Sequence, residues 1–296
     1  MNHISKSIFK TSMLKTSFIK TGVIAVLGIS ALTACNNNGV ADAVKYEQAG
    51  EYDKAYAALL PIATKGDKQA QHMLGVLYMN GTGITKSDTE AFKWFLKAAE
   101  QGHLDSQFNT GLFYKNGQGT PVSYENAYKW YLKAAEAGHK DAQLNLGNMF
   151  LKGNGVPVSL EQAFSWYQKS AAQGQPIAQY NVGAMMQTGQ GTTQDVTNAV
   201  EWFRKAAEQG NADALYNMGM VYQQGKIMAE SPIDAAGFFI KAAEKGHSDA
   251  QFAAGVAFAN GYGVTKDMNK AVFWFRQSAA KGNQKSIAAL QQLGAQ

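Results

Sequence analysis

The sequence predicts an all-α fold, an α-solenoid superhelix of antiparallel helix pairs stacked in tandem, and three observations predict it. The stretch Ala91-Phe-Lys-Trp-Phe-Leu-Lys-Ala-Ala-Glu-Gln-Gly102 returns at 127–138, 163–174, 199–210, 235–246 and 271–282, always 36 residues on, with a fainter copy at 55–66. A fixed period within roughly 20–50 residues marks one supersecondary unit copied in tandem. Every tryptophan falls on one position of that unit, at Trp94, Trp130, Trp166, Trp202 and Trp274, with Phe238 in the remaining slot. The apolar residues recur at helical spacing: Ala91, Trp94, Phe95 and Ala98 stand at i, i+3, i+4 and i+7, one face of an α-helix. A length of 296 residues suggests two domains, but a solenoid grows by addition and needs no single large core.

The chain opens with a segment of different composition. Residues 1–34 hold Lys6, Lys10, Lys15 and Lys20 and no acid, followed by an apolar run from Val23 to Ala34. That run is shorter than the ~20 apolar residues of a membrane span, and its basic start and small-residue end read as a secretory signal. Leu32-Thr33-Ala34-Cys35 resembles the bacterial lipobox, which implies cleavage before Cys35 and a lipid on its thiol. Cys35 is the only cysteine, so it forms no internal disulfide. Burying acyl chains contributes ~0.8 kcal/mol per methylene, and two or more chains hold a protein on a bilayer. Residues 35–42 then read as the lipidated cysteine and a short polar tether. Asn36 is not the aspartate that favours inner-membrane retention in Gram-negative lipoproteins, so the resemblance implies an outer-membrane protein facing the periplasm.

Loss of the leader takes the formal charge from +5 to about +1. No basic patch remains to argue for nucleic acid.

Residues 43–66 are expected to form an N-terminal capping half-repeat, with a short turn at Gly50-Glu-Tyr-Asp-Lys54. Six full repeats then run over 67–282. Their first helices carry Ala70, Leu74, Gly75 and Tyr78, and a glycine keeps one register at Gly75, Gly111, Gly147, Gly183, Gly219 and Gly255. A mid-helix glycine costs ~1 kcal/mol against alanine, so its recurrence predicts that a partner packs on bare backbone there. Ser87, Ser123, Ser159, Asp195, Ser231 and Asp267 precede the second helices as N-caps, and Ser87-Asp-Thr-Glu90 reads as a capping box. Gly102, Gly138, Gly174, Gly210, Gly246 and Gly282 close those helices. The loop at Gly225-Lys-Ile227 lacks the second glycine of its siblings, so a different loop conformation is expected there. Residues 283–296 supply a C-terminal capping helix whose Gln and Ser residues are expected to face water.

Asp141-Ala-Gln-Leu-Asn-Leu-Gly147, the Gly-x-Gly loops and Ala127-Tyr-Lys-Trp-Tyr-Leu-Lys-Ala-Ala-Glu136 resemble the Sel-1-like repeat family, close kin of tetratricopeptide repeats. The resemblance covers residues 43–296. It implies a right-handed superhelix whose first helices line a concave groove. One row along that groove is then Phe108, Leu144, Tyr180, Tyr216 and Phe252, and a second is Asn109, Asn145, Asn181 and Asn217. Asn148 and Met220 stand beside them, with Lys115, Gln187 and Gln223. Side-chain amides donate and accept, so an asparagine ladder suits an extended peptide backbone; packing and capping are the alternative use of both rows.

No catalytic constellation emerges. His103, His139 and His247 share one inter-repeat turn, and His72 stands where other repeats place an aromatic. No paired metal-ligand spacing is present, so no metal or cofactor is expected. Ser278-Ala-Ala-Lys281 fits a serine-enzyme pattern but lies at the register of Ala98 and Ala134. The expectation is a non-catalytic, envelope-anchored scaffold with a protein or peptide partner, in an adaptor, assembly, regulatory or toxin-immunity role. The alternative is a peptidoglycan-related binder or hydrolase, like the penicillin-binding cysteine-rich relatives, whose paired cysteines are missing here.

Overall fold

The computed structural model describes residues 38–295, which form fifteen helices and no strand. The leader and Cys35 lie outside the described residues. The helices are α1 (Asn38–Gln48), α2 (Tyr52–Thr64), α3 (Lys68–Asn80), α4 (Asp88–Glu100), α5 (Leu104–Asn116), α6 (Tyr124–Glu136), α7 (Lys140–Lys152) and α8 (Leu160–Ala172). They continue as α9 (Pro176–Thr188), α10 (Val196–Glu208), α11 (Ala212–Gln224), α12 (Pro232–Glu244), α13 (Ser248–Asn260), α14 (Met268–Ala279) and α15 (Gln284–Gln292). Extensive packing joins chain neighbours only, first within each pair and then between successive repeats, which is the contact pattern of a solenoid.

Cap chemistry sets the length of each second helix. Ser87, Ser123, Ser159, Asp195, Ser231 and Asp267 each accept the backbone N–H three residues on. Their own N–H groups bond carbonyls of the first helix, from Ser87 to Tyr78, Ser123 to Tyr114 and so on to Asp267 and Phe258. That tie folds each loop back and turns the second helix antiparallel to the first. It also takes the Ser87 N–H that a full capping box needs, so Glu90 pairs with Lys93 at 2.6 Å instead. The glycines that follow the second helices have φ between +77° and +94°, a left-handed turn that glycine enters without strain.

The core divides its aromatic residues between two tasks. Phe95, Tyr131, Tyr167, Phe203, Phe239 and Phe275 are buried, and each ring lies on the glycine of its own first helix. The partner predicted at that glycine is therefore the second helix of the same pair, which meets the bare backbone with this ring. The tryptophan one residue earlier reaches back instead. Trp166 joins the cluster that spans Ala134 and Ala135 of the preceding repeat and Ala142 and Leu146 of its own first helix. The two aromatics thus fill different gaps, where the sequence suggested one.

Both ends differ from expectation. α1 starts at Asn38, so part of the expected tether is helical, with Val40 and Ala43 buried against the α2 cluster. Residues 38–64 are a complete helix pair rather than a half-repeat, because Val40 and Ala43 supply the apolar face that a tether lacks. At the far end Leu290 of α15 packs on the last repeat, and Ser286 is fully buried beside it rather than facing water. The divergent loop is as predicted in kind. Gly155 approaches so closely that a Cβ there would stand 2.7 Å from the Tyr124 backbone, an approach closed to Ile227, which is 41% exposed. α11 and α12 keep their 13 residues on either side.

Candidate functional site

The expected groove rows lie on the first helices, one residue per repeat, and their side chains are half-buried or buried. Phe108 stacks on His139 of the next turn, with ring centres 4.5 Å apart, and tilts on Tyr131 at 5.8 Å. Tyr216 does the same between His247 at 4.6 Å and Phe239 at 5.8 Å. Tyr180 meets Phe203 and Phe252 meets Phe275, each at 5.8 Å. Leu144 is 8% exposed. His72 occupies this row as the sequence suggested, between Phe95 and His103. The aromatic row therefore packs on the second helix of its own repeat, and at His72, Phe108 and Tyr216 it also stacks on the histidine of the next turn. Burial pushes the Tyr180 and Tyr216 hydroxyls up to about 12, with Asp213 and Asp249 adding to the rise.

The asparagine row is split. Asn109 is buried. Asn145 donates to the Asp141 carbonyl at 2.8 Å and accepts from Lys115 at 3.2 Å. Asn217 reaches the Tyr180 hydroxyl. Asn181 is half-buried. Asn148 accepts from the Tyr167 hydroxyl at 2.8 Å, Met220 and Gln187 are half-buried, and Gln223 is exposed. Burial, with Lys152 nearby, holds the Lys115 ammonium below its usual range. What the groove offers a ligand is thus a set of amide edges, one cation and ring edges, preset by the packing beneath them.

The turn histidines have a role that spacing alone did not reveal. His103, His139 and His247 are N-caps of α5, α7 and α13, with Nδ1 accepting the N–H of Ser106, Ala142 and Ala250. An accepting Nδ1 leaves the proton on Nε2. That nitrogen faces one repeat back, 3.1 Å from Gln69, 3.5 Å from Asp105 and 3.3 Å from Asp213. Gln175 and Asn283 replace histidine in the same double role, Gln175 donating to Asp141 at 3.3 Å and Asn283 to Asp249 at 2.9 Å. The signal was present: each residue after the closing glycine carries an acceptor.

The groups that chemistry would need are occupied. Ser106 is fully buried between His72 Nδ1 at 2.8 Å and His103 Nδ1 at 3.1 Å, out of a substrate's reach. Burial drives His72 down to about 3, with His103 adding to the fall. Ser278 is fully buried and donates to the Ser248 carbonyl at 2.8 Å, so the Ser-x-x-Lys match is a packing contact. Among the described residues no group of three or more His, Cys, Asp or Glu is placed to hold a metal ion, and no helix is long and apolar enough to cross a membrane.

Fold and site together define an α-solenoid scaffold of the kind that mediates protein–protein interaction. The chain belongs to the Sel1 repeat family, whose model matches residues 68–103, 104–139, 140–175, 176–211, 212–247 and 248–283. Among solved structures it is similar to c5321, a protective antigen of uropathogenic Escherichia coli with this repeat fold. The TM-score is 0.78 and the identity 34%, over 86% of this chain and 56% of that one. This chain thus spans little more than half of that antigen. It is also similar to a Sel1 repeat protein from Oxalobacter formigenes, with a TM-score of 0.75 and 30% identity over 82% of this chain and 99% of that one. No curated protein sequence matches.

Proposed function

We propose that this chain is a non-catalytic, lipid-anchored scaffold of the bacterial cell envelope that binds a protein or peptide partner along its first helices. The observation that carries the reading is the unbroken series of six repeats, which sets the same register of half-buried side chains every 36 residues. A repeated surface of that kind suits an extended or helical ligand, because each repeat adds a similar contact. The lipobox-like Leu32-Thr33-Ala34-Cys35 supports an anchor at Cys35 and a periplasmic face of the outer membrane. Metabolic labelling with a fatty-acid analogue tests the anchor. The wild-type chain incorporates the label and sediments with membranes, and Cys35→Ser does neither; equal labelling of both chains overturns the anchor.

A further inference from the structure

The fifth repeat departs from all its siblings at two positions, and these meet in one place with a third that it shares with the sixth repeat. Where Gln71, Gln143, Gln179 and Gln251 stand, it has Leu215; where the tryptophans stand, Phe238; where Gln101, Gln173 and Gln209 stand, it has Lys245, as the sixth repeat has Lys281 and the second Ala137. In the other repeats this junction is filled. Gln71, Gln143, Gln179 and Gln251 donate to the carbonyls of Ala63, Ala135, Ala171 and Ala243 at 3.0–3.3 Å. Gln101, Gln173 and Gln209 close over Gln71, Gln143 and Gln179 at 2.7–2.8 Å. An indole covers the gap, with a lysine 3.8–4.4 Å above the ring in four repeats.

The fifth repeat replaces the amide pair and the indole with apolar packing: Ala207 and Leu215 are buried in one cluster, and Phe238 packs against it, stacked on Tyr222 at 5.6 Å. Leu215 has no amide to give the Ala207 carbonyl, which keeps only the Gly210 N–H at 2.8 Å. The Phe238 ring is smaller than an indole, and Lys241 stands off it at 5.8 Å. A cleft of about 630 Å³ opens there, floored by Ala207, Leu215 and Phe238. Arg204 on its rim is committed to Glu208 and Glu201, and Glu244 adds a second rim acid. Lys241 and Lys245, also on the rim, form no ion pair among the described residues.

We propose that this cleft binds an indole side chain of a partner peptide with a carboxylate beside it. The repeat is built around an indole at this position in five of six copies, so the missing group defines the shape of the guest. Its rings stack on Phe238 and Leu215, and its N–H meets the second lone pair of the Ala207 carbonyl. Lys241 and Lys245 receive the carboxylate. Buried aromatic anchors of this kind carry much of the affinity of protein interfaces. The site is built from the C-terminal halves of α10 and α12 and from Leu215 of α11, and it uses none of the residues of the first-helix rows, so it is tested separately.

The test is ligand-observed NMR titration of the purified protein with N-acetyl-tryptophan, which carries both groups. The wild type binds saturably in the millimolar range. Phe238→Trp restores the repeat's own occupant and weakens binding at least about tenfold, with an unchanged or raised melting temperature. Leu215→Gln, which returns the amide to Ala207, weakens it as well. Lys241→Gln with Lys245→Gln removes the preference for N-acetyl-tryptophan over the uncharged N-acetyl-tryptophanamide. Non-saturable wild-type binding, or equal binding by Phe238→Trp, overturns the proposal.

Discussion

Gly219 of α11 lies beneath the ring of Phe239 of α12, so close that a Cβ on it would stand 2.6 Å from two ring carbons. The same relationship recurs in all six repeats and fixes the distance between the two helices of a pair. Two effects of opposite sign meet in Gly219→Ala. Helix propensity gains ~1 kcal/mol, and overpacking typically costs ~1–3 kcal/mol. Because the Phe239 ring is buried, overpacking prevails, and the expected net loss is up to about 2 kcal/mol. Gly237 has nothing within 4 Å of its Cβ position, so Gly237→Ala gains up to ~1 kcal/mol. Urea midpoints of the two variants, moving in opposite directions, check the packing account; a stabilised Gly219→Ala contradicts it.

Trp166→Ala is expected to be costly. The ring is 8% exposed, packs on the preceding repeat and holds Lys169 at 3.8 Å. Cutting a buried tryptophan to alanine loses ~3–5 kcal/mol, and neighbouring repeats share the loss through their interfaces. Trp274 is half-buried and only α15 lies beyond it, so Trp274→Ala costs less. Thermal melts of both variants measure the difference.

Acid destabilises this protein through named groups. Burial is the main cause that lowers His72, to about 3, and that lowers His103. Both folded values lie below the unfolded imidazole value of about 6.5. The unfolded chain therefore binds more protons as pH falls through that value, and stability drops with it. Asp105 acts in the same direction: the hydrogen bond from His139 depresses its carboxyl, so its contribution is lost at the acid end. The folded state is expected to be constant above about pH 7 and to weaken progressively below about pH 6. His72→Phe, which keeps the ring stack with the aromatic found at Phe108, flattens that decline. An unchanged acid limb in His72→Phe contradicts the assignment.

The repeat, the helix pairs and their caps were legible because they rest on local chemistry. A serine before an apolar run and a glycine after it act through the backbone next to them. What the sequence hid were relationships that span a repeat. That the Phe238 slot opens a cleft depends on Leu215 and Lys245 arriving beside it, 23 and 7 residues away in the chain. His139 reads as a turn residue until its Nε2 is seen facing Asp105 one repeat back. Tyr180 and Tyr216 read in the sequence as groove residues, with packing as the alternative use. Their rings sit on Phe203 and Phe239 of their own helix pairs, and Tyr216 also stacks on His247 of the next turn, so removing them loosens the packing as well. Tests of binding belong at Gln187 and Gln223, which stand outside that packing.

Photocrosslinking in intact cells addresses the binding role most directly. A photoreactive amino acid is placed at Gln187 or Gln223 on the first helices, and at Lys169 on a second helix as the control. The scaffold account predicts one discrete protein adduct from both first-helix positions and none of that mass from Lys169. The same adduct from Lys169 but not from Gln187 or Gln223, or no adduct from any position, contradicts a partner in the groove.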